Sequence, residues 1–190
     1  MHFLKKTALG ILIMGASIVP ALFLWQGYLQ ITGNFHEVVA GEYYRSAQPK
    51  PGLITKVVAE HHIRSILNLR GDHPGAPWYE QEQQEALAAG VKLINFRMSS
   101  GDHMTTDEGL RLIEVMRHAP KPMMVHCMAG ADRTGLATAL YLAAIKKDTE
   151  WNSEMQLSAI YGHVPLFFTK SFAMNETFED MEPLLGYFDS

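Results

Sequence analysis

The sequence predicts an α/β domain with a mainly parallel central sheet flanked by helices, preceded by an N-terminal transmembrane or signal helix. Three observations carry this reading. Four short apolar runs, at 37–44, 63–70, 91–96 and 123–125, have the length and composition of strands. Segments with helical periodicity separate most of them, the alternation expected of a sheet built from βαβ units. Residues 7 to 33 contain no charged side chain.

Lys5 and Lys6 precede the apolar run from Ala8 to Trp25. That run is about as long as a helix needs to cross a hydrocarbon core. Basic residues on the N-terminal side alone predict the N-terminus in the cytoplasm and the rest of the chain outside it, in the periplasm if the source is bacterial. A cleaved signal peptide is the other reading, with Val19-Pro20-Ala21 as a poor cleavage site, and it gives a secreted domain. The chain therefore divides into an anchor or signal segment, 1–33, and one globular domain, 34–190.

After the strand at 37–44 comes Tyr44-Arg45-Ser46-Ala47-Gln48-Pro49, then a helix over 51–62 with Leu53, Ile54, Val57 and Val58 on one face. The strand at 63–70 ends at Gly71-Asp72. Arg70 reads by default as a solvated strand-end arginine, and facing substrate is its other reading. A helix over 78–89, with Glu and Gln on its outer face, stops at Gly90. A polar loop, 97–104, follows the strand at 91–96. Thr105 and Glu108 form a capping box for a helix through about His118. Pro120 and Pro122 break that helix and deliver the chain to the strand at 123–125. Helices are expected from Leu136 to about Lys146, over 151–161 and over 175–187.

The 16 basic residues less Lys5 and Lys6 leave 14 against 20 acidic ones, a net charge of −6 for the globular part. With no basic run, nucleic acid is not an expected partner. One cysteine excludes an internal disulfide and any multi-cysteine metal site, and His61-His62 has no partner ligands at metal spacing. No metal or cofactor is expected.

The sole cysteine lies in Val125-His126-Cys127-Met128-Ala129-Gly130-Ala131-Asp132-Arg133-Thr134-Gly135, between a buried strand and a helix. A loop entering a helix gathers unpaired backbone N–H groups and the positive end of the helix dipole, which makes an anion cradle. The dipole and a nearby guanidinium favour the thiolate of Cys127. The planar fork of Arg133 matches two phosphate oxygens. The bland reading, a small core hydrophobe at Cys127, does not account for His126, Gly130, Thr134 and Gly135 at their spacing.

This stretch resembles the signature loop of the cysteine-dependent protein tyrosine phosphatase superfamily, and its Ala-Gly-Ala-Asp-Arg-Thr-Gly ending resembles the atypical, dual-specificity-like branch. Tyr44-Arg45-Ser46-x-x-Pro49 resembles a segment near the start of many such domains. The resemblance covers about residues 36 to 147 and implies a protein tyrosine phosphatase-like fold. It implies that Cys127 is the nucleophile of a phosphocysteine intermediate and that Arg133 with the backbone of Met128, Ala129, Gly130, Ala131 and Asp132 holds the phosphoryl oxygens. It further implies that Asp102, on the loop before the helix preceding the catalytic strand, is the general acid, with Asp107 and Asp72 as rivals. Thr134 is expected to hydrogen-bond the sulfur and His126 to order the loop. Asp132 would fix the loop or nearby substrate contacts. Arg45 is either a second cation near the phosphate or, with Gln48, a structural tie of the loop.

Phosphoinositide phosphatases of that superfamily often carry lysines beside the cysteine and arginine. Met128 and Ala131 stand there in this chain, which favours a single phosphate on a protein side chain or a small ester over highly charged inositol phosphates. The expected protein is thus a membrane-tethered phosphatase acting on phosphorylated proteins or small phosphate esters. A phospholipid or inositol-phosphate phosphatase, a phosphate-binding module without turnover, and a sulfurtransferase are the competing readings.

Overall fold

A computed structural model describes residues 20–188. The predicted anchor or signal segment therefore lies largely outside the described residues. Of it, 20–32 form a helix, α1, that docks on the domain, and among the described residues no helix is long and apolar enough to cross a membrane.

Five strands, β1 (His36–Val39), β2 (Tyr43–Ser46), β3 (Ser65–Asn68), β4 (Lys92–Asn95) and β5 (Met123–His126), form one sheet in the order β1-β2-β5-β3-β4. The sheet is mixed. The pairs β2–β5, β5–β3 and β3–β4 are parallel, and β1–β2 is antiparallel. The run at 37–44, expected as one strand, is a hairpin. Gly41 takes φ 64° at its tip and the amide of Glu42 donates to Val39 O at 3.0 Å, so Tyr44, Arg45 and Ser46 lie inside β2.

Side-chain alternation along the strands divides the core in two. Tyr43, Leu67, Met123 and Val125 face a cluster built with α4 (Thr106–His118), α5 (Asp132–Tyr141) and α7 (Ala173–Leu185). Tyr44, Ile66 and Met124 face a second cluster under α2 (Leu53–His61) and α3 (Pro77–Ala88). Helix α5 is buried from Thr134 through Tyr141, as expected of a helix with no polar face. Full burial of Leu136 and Leu140 contributes about 1.5–3 kcal/mol each. A π-helical turn, Leu142–Lys146, ends α5.

Two predicted helices change their limits. That over 151–161 stops early, as α6 (Glu150–Glu154), with a 3₁₀ turn at Ala159–Tyr161. The chain turns inward between them, and Gln156 O reaches the buried Arg45 guanidinium at 3.1 Å. The last helix, α7, begins and ends earlier than the expected 175–187.

The strand order puts β5 between β2 and β3, so Cys127 emerges at the middle of the C-terminal sheet edge. Sites of open α/β sheets lie beyond this edge.

Candidate active site

The loop from Cys127 to Ala131 is held by its carbonyl oxygens. Met128 O accepts from the amide of Gln48 at 3.1 Å. Ala129 O accepts from Gln30 Nε2 at 3.3 Å and Asn34 Nδ2 at 3.1 Å. Gly130 O accepts from Asn34 Nδ2 at 3.2 Å and Arg45 Nη2 at 2.9 Å. A peptide group with its oxygen tied to one side points its N–H to the other. Among the described residues, the amides of 128 to 131 donate to no protein acceptor. They are the expected donors for an oxyanion, at the start of α5.

Gly130 is required at its place. Its φ is +70°, and a Cβ there would lie 2.6 Å from Ala47 N and 2.7 Å from Ser46 O, backbone atoms that cannot yield. Gly130→Ala is expected to destabilise the protein by more than about 2 kcal/mol through the left-handed conformation and the clash, and to weaken phosphate binding. Thermal melting and phosphate calorimetry read the two effects.

Cys127 is 2% exposed. Beside it, His126 is fully buried, with Nε2 2.6 Å from Glu82 Oε1 and Nδ1 3.2 Å from Cys127 O. Both ring nitrogens face oxygen atoms, so the ring is held from two sides. His126 thus links the base of the loop to Glu82. Glu82 was expected on the outer face of its helix and is 3% exposed. Its spacing from Tyr79 and Ala86, three and four residues away and both buried, puts it on the inner face. Glu82→Ala would strand His126 in the core. It is expected to cost about 3–5 kcal/mol, lowering Tm by on the order of 10 °C, with a loss of activity that thermal melts and aryl phosphate assays would register.

Arg133 Nη1 donates to Met98 O at 3.3 Å, tying the start of α5 to the loop after β4. Its Nε is buried without a protein partner, as are Thr134 Oγ1 and Ser46 Oγ. Three orphaned polar atoms on segments that meet at Cys127 fit a site that completes its hydrogen bonds with a ligand. The expected bond from Thr134 to the sulfur is not made in this state.

Arg45 is placed otherwise than as a phosphate contact. It is fully buried, and Nη1 and Nη2 are taken by Gln156 O, Gln156 Oε1 at 2.8 Å and Gly130 O. The guanidinium lies 3.9 Å from the Tyr161 ring centre. Burial pushes it down to about 10, opposed by Tyr161, Tyr43 and Cys127, so it stays charged at neutral pH. It braces the loop through the Gly130 carbonyl. Asp132 is also turned to the protein. Its Oδ1 is 2.7 Å from Nδ1 of the buried His163, whose Nε2 meets Asn175 Oδ1 at 2.8 Å.

Asp102 lies on the loop between β4 and α4, at the sheet edge that also carries Cys127. Its carboxylate is exposed and has no hydrogen-bond or ion-pair partner among the described residues. It lines a cleft of about 450 Å³ with Arg97, Met98, His103 and Arg111, among others, whose walls do not include Cys127. Asp107 sits in the first turn of α4 behind the Thr105–Glu108 capping box. Met128 is 62% exposed at the mouth of the loop, and Ala131 is buried.

The sequence does not single out Asn34, Glu82, Gln156 or His163. All lie far along the chain from the loop and support it through side-chain hydrogen bonds, directly or by way of Arg45, His126 and Asp132, which no periodicity marks. Glu82 alone had a signal, its place on the apolar helix face.

A model of the tyrosine phosphatase family matches residues 27–151. Comparison with the curated proteins finds no match. Among solved structures, the chain is similar to P. aeruginosa TpbA in complex with phosphotyrosine, with TM-score 0.63, 16% identity, and coverage of 84% of this chain and 93% of that one. It is similar to PTPMT1 in complex with PI(5)P, with TM-score 0.59, 14% identity and coverage of 79% and 97%. The core catalytic domain of the PP-IP phosphatase SIW14 from S. cerevisiae, in complex with citrate, gives 0.58, 18%, 82% and 94%. At these identities the likeness is one of fold.

Proposed function

Because the chain belongs to the tyrosine phosphatase family, we propose that it hydrolyses phosphate monoesters through a phosphocysteine on Cys127. The observation that carries this is the loop itself. Its carbonyls are tied outward, its amides 128 to 131 are unspent, and Arg133 and the thiol stand at either end.

In the proposed reaction the Cys127 thiolate attacks phosphorus, forming the S–P bond as the P–O bond to the leaving alcohol breaks. Asp102 gives its proton to the departing oxygen. Arg133 and the loop amides hold the three non-bridging oxygens and stabilise the charge that gathers on them. Water then attacks phosphorus, Asp102 takes its proton back, and inorganic phosphate leaves with the thiolate restored. For Asp102 to reach the leaving oxygen, its loop closes over the bound ester. The exposed, unpaired carboxylate is free to make that movement.

The substrate is proposed to be a single phosphate on a protein side chain or a small alcohol, since Met128 and Ala131 add no cation inside the loop. The phosphotyrosine held by TpbA is of this kind. The second reading is a phospholipid headgroup. PTPMT1, with its bound PI(5)P, sets a precedent in the same fold, and a membrane tether would place the site near lipid.

We also propose that residues 1–33 hold the catalytic domain, 34–190, to a membrane on its outer side. Phe23, Leu24 and Ile31 of α1 are more than 70% exposed, as are Phe167 and Phe168. Val164 lines one small hollow with Leu22 and Phe23, which brings the two apolar segments together. Such an exposed apolar surface suits a lipid interface.

A substrate panel tests the reading: phosphotyrosine and phosphothreonine peptides, a small aryl phosphate and a vesicle-borne phosphoinositide, all assayed with chelator. Chelator-resistant turnover of peptides and aryl phosphate is expected. Turnover of the lipid alone would give the second reading.

A further inference from the structure

Arg70 follows β3 at the C-terminal edge of the sheet. The neighbouring Leu69 amide donates to His126 O at 2.9 Å, so this strand end lies directly beside the base of the cysteine loop. The Arg70 guanidinium is stacked 3.5 Å from the centre of the Trp78 ring, and Nη1 donates to Gln48 Oε1 at 2.8 Å. Gln48 in turn donates to Glu82 Oε2 at 2.8 Å, and the other oxygen of Glu82 meets His126. The cation is therefore fixed to the same buried chain that orders Cys127.

Arg70 is nevertheless not spent. No carboxylate lies within ion-pair distance of it among the described residues, and both Glu82 oxygens are engaged elsewhere. Of its guanidinium nitrogens only Nη1 has a hydrogen-bond partner among the described residues. Burial and the Arg133 charge push Arg70 below the usual guanidinium range, opposed by Glu82 and Cys127, which marks it as a neighbour of both ends of the loop. Holding an unpaired guanidinium in one conformation beside a phosphate site removes most of the ordering cost of gripping an anion.

We propose that Arg70, held on Trp78 and by Gln48, is a second anion subsite, so that the preferred esters carry a further acidic group beside the phosphate that is cleaved. This rests on the phosphatase reading above. The further group is a carboxylate or a second phosphate, since the guanidinium fork takes either. The loop selects a phosphate monoester, and Arg70 selects what stands next to it.

The test uses the full chain and three sets of small esters: phenyl phosphate, its ring isomers bearing a carboxylate, and its ring isomers bearing a second phosphate. The wild-type protein is expected to favour at least one acidic isomer over phenyl phosphate by about tenfold or more in kcat/KM. In Arg70→Ala that preference is expected to fall by about 10- to 100-fold, the worth of a charge-assisted hydrogen bond, and to fall mainly through KM. The carboxylate and bisphosphate arms tell which group is taken. Equal kcat/KM on acidic and plain esters in the wild type would overturn the subsite whether or not Arg70→Ala folds. So would a variant that loses activity on all esters alike, since a purely structural arginine does that. Failure of the wild type to cleave any of the three sets would overturn the phosphatase reading itself.

Discussion

Cys127→Ser is expected to reduce phosphate monoester hydrolysis by at least about 10⁴-fold while the protein remains folded and still binds phosphate. Serine nearly matches cysteine in size, and Cys127 is 2% exposed in a loop whose shape is set by bonds to its carbonyls rather than by the sulfur. The substitution removes neither the unspent amides nor Arg133, so the cradle survives. What it removes is the thiolate, and an unactivated hydroxyl is a far weaker nucleophile at neutral pH. His126 does not rescue it as a base, because both ring nitrogens already face Cys127 O and Glu82. Steady-state assays with an aryl phosphate, calorimetry with inorganic phosphate and a thermal melt separate the three quantities. Retention of more than about one percent of wild-type turnover would place the nucleophile elsewhere.

Asp102→Asn is expected to lower kcat by about 10²- to 10⁴-fold for esters with poor leaving groups, and by much less for an activated aryl phosphate. The dependence on leaving group separates an acid from a structural aspartate. A proton is needed only when the departing oxygen is basic. Asp107 and Asp132 serve as comparisons. Asp107 sits in a capped helical turn, where an acidic side chain is favoured by the helix dipole. Asp132 is paired with buried His163. Removing either is expected to affect all esters alike. If Asp107→Asn or Asp132→Asn shows the leaving-group dependence and Asp102→Asn does not, the acid is misassigned.

The parts of this protein that were readable from sequence are those governed by local rules. Met123 to Val125 was an apolar run and is the buried central strand. Thr105 and Glu108 had the spacing of a capping box and form one. The largely apolar stretch after Gly135 is the helix buried at the centre of the domain. The hairpin at 36–46 was less readable, because its two strands and turn together are hardly longer than one strand and Gly41 is its only punctuation. The loop residues were legible as a set, since the chemistry of phosphate capture concentrates them in eleven consecutive positions. The supports were not. Arg45 had two sequence readings, and only its burial against Gln156 and Gly130 separates them. Asn34 gives its side-chain amide to Ala129 O, Gly130 O and Tyr161 O, a threefold role that no neighbour in sequence announces.

In the proposed reaction, catalysis passes through a covalent phosphate on Cys127. Rapid acid quenching of the full chain during turnover of a labelled aryl phosphate, followed by peptide mapping, tests it directly, and Asp102→Asn should accumulate the adduct because the water step then lacks its base. Label is expected on the peptide containing Cys127, formed no more slowly than turnover and absent in Cys127→Ser. Turnover with no label on that peptide, or label that persists in Cys127→Ser, would contradict it.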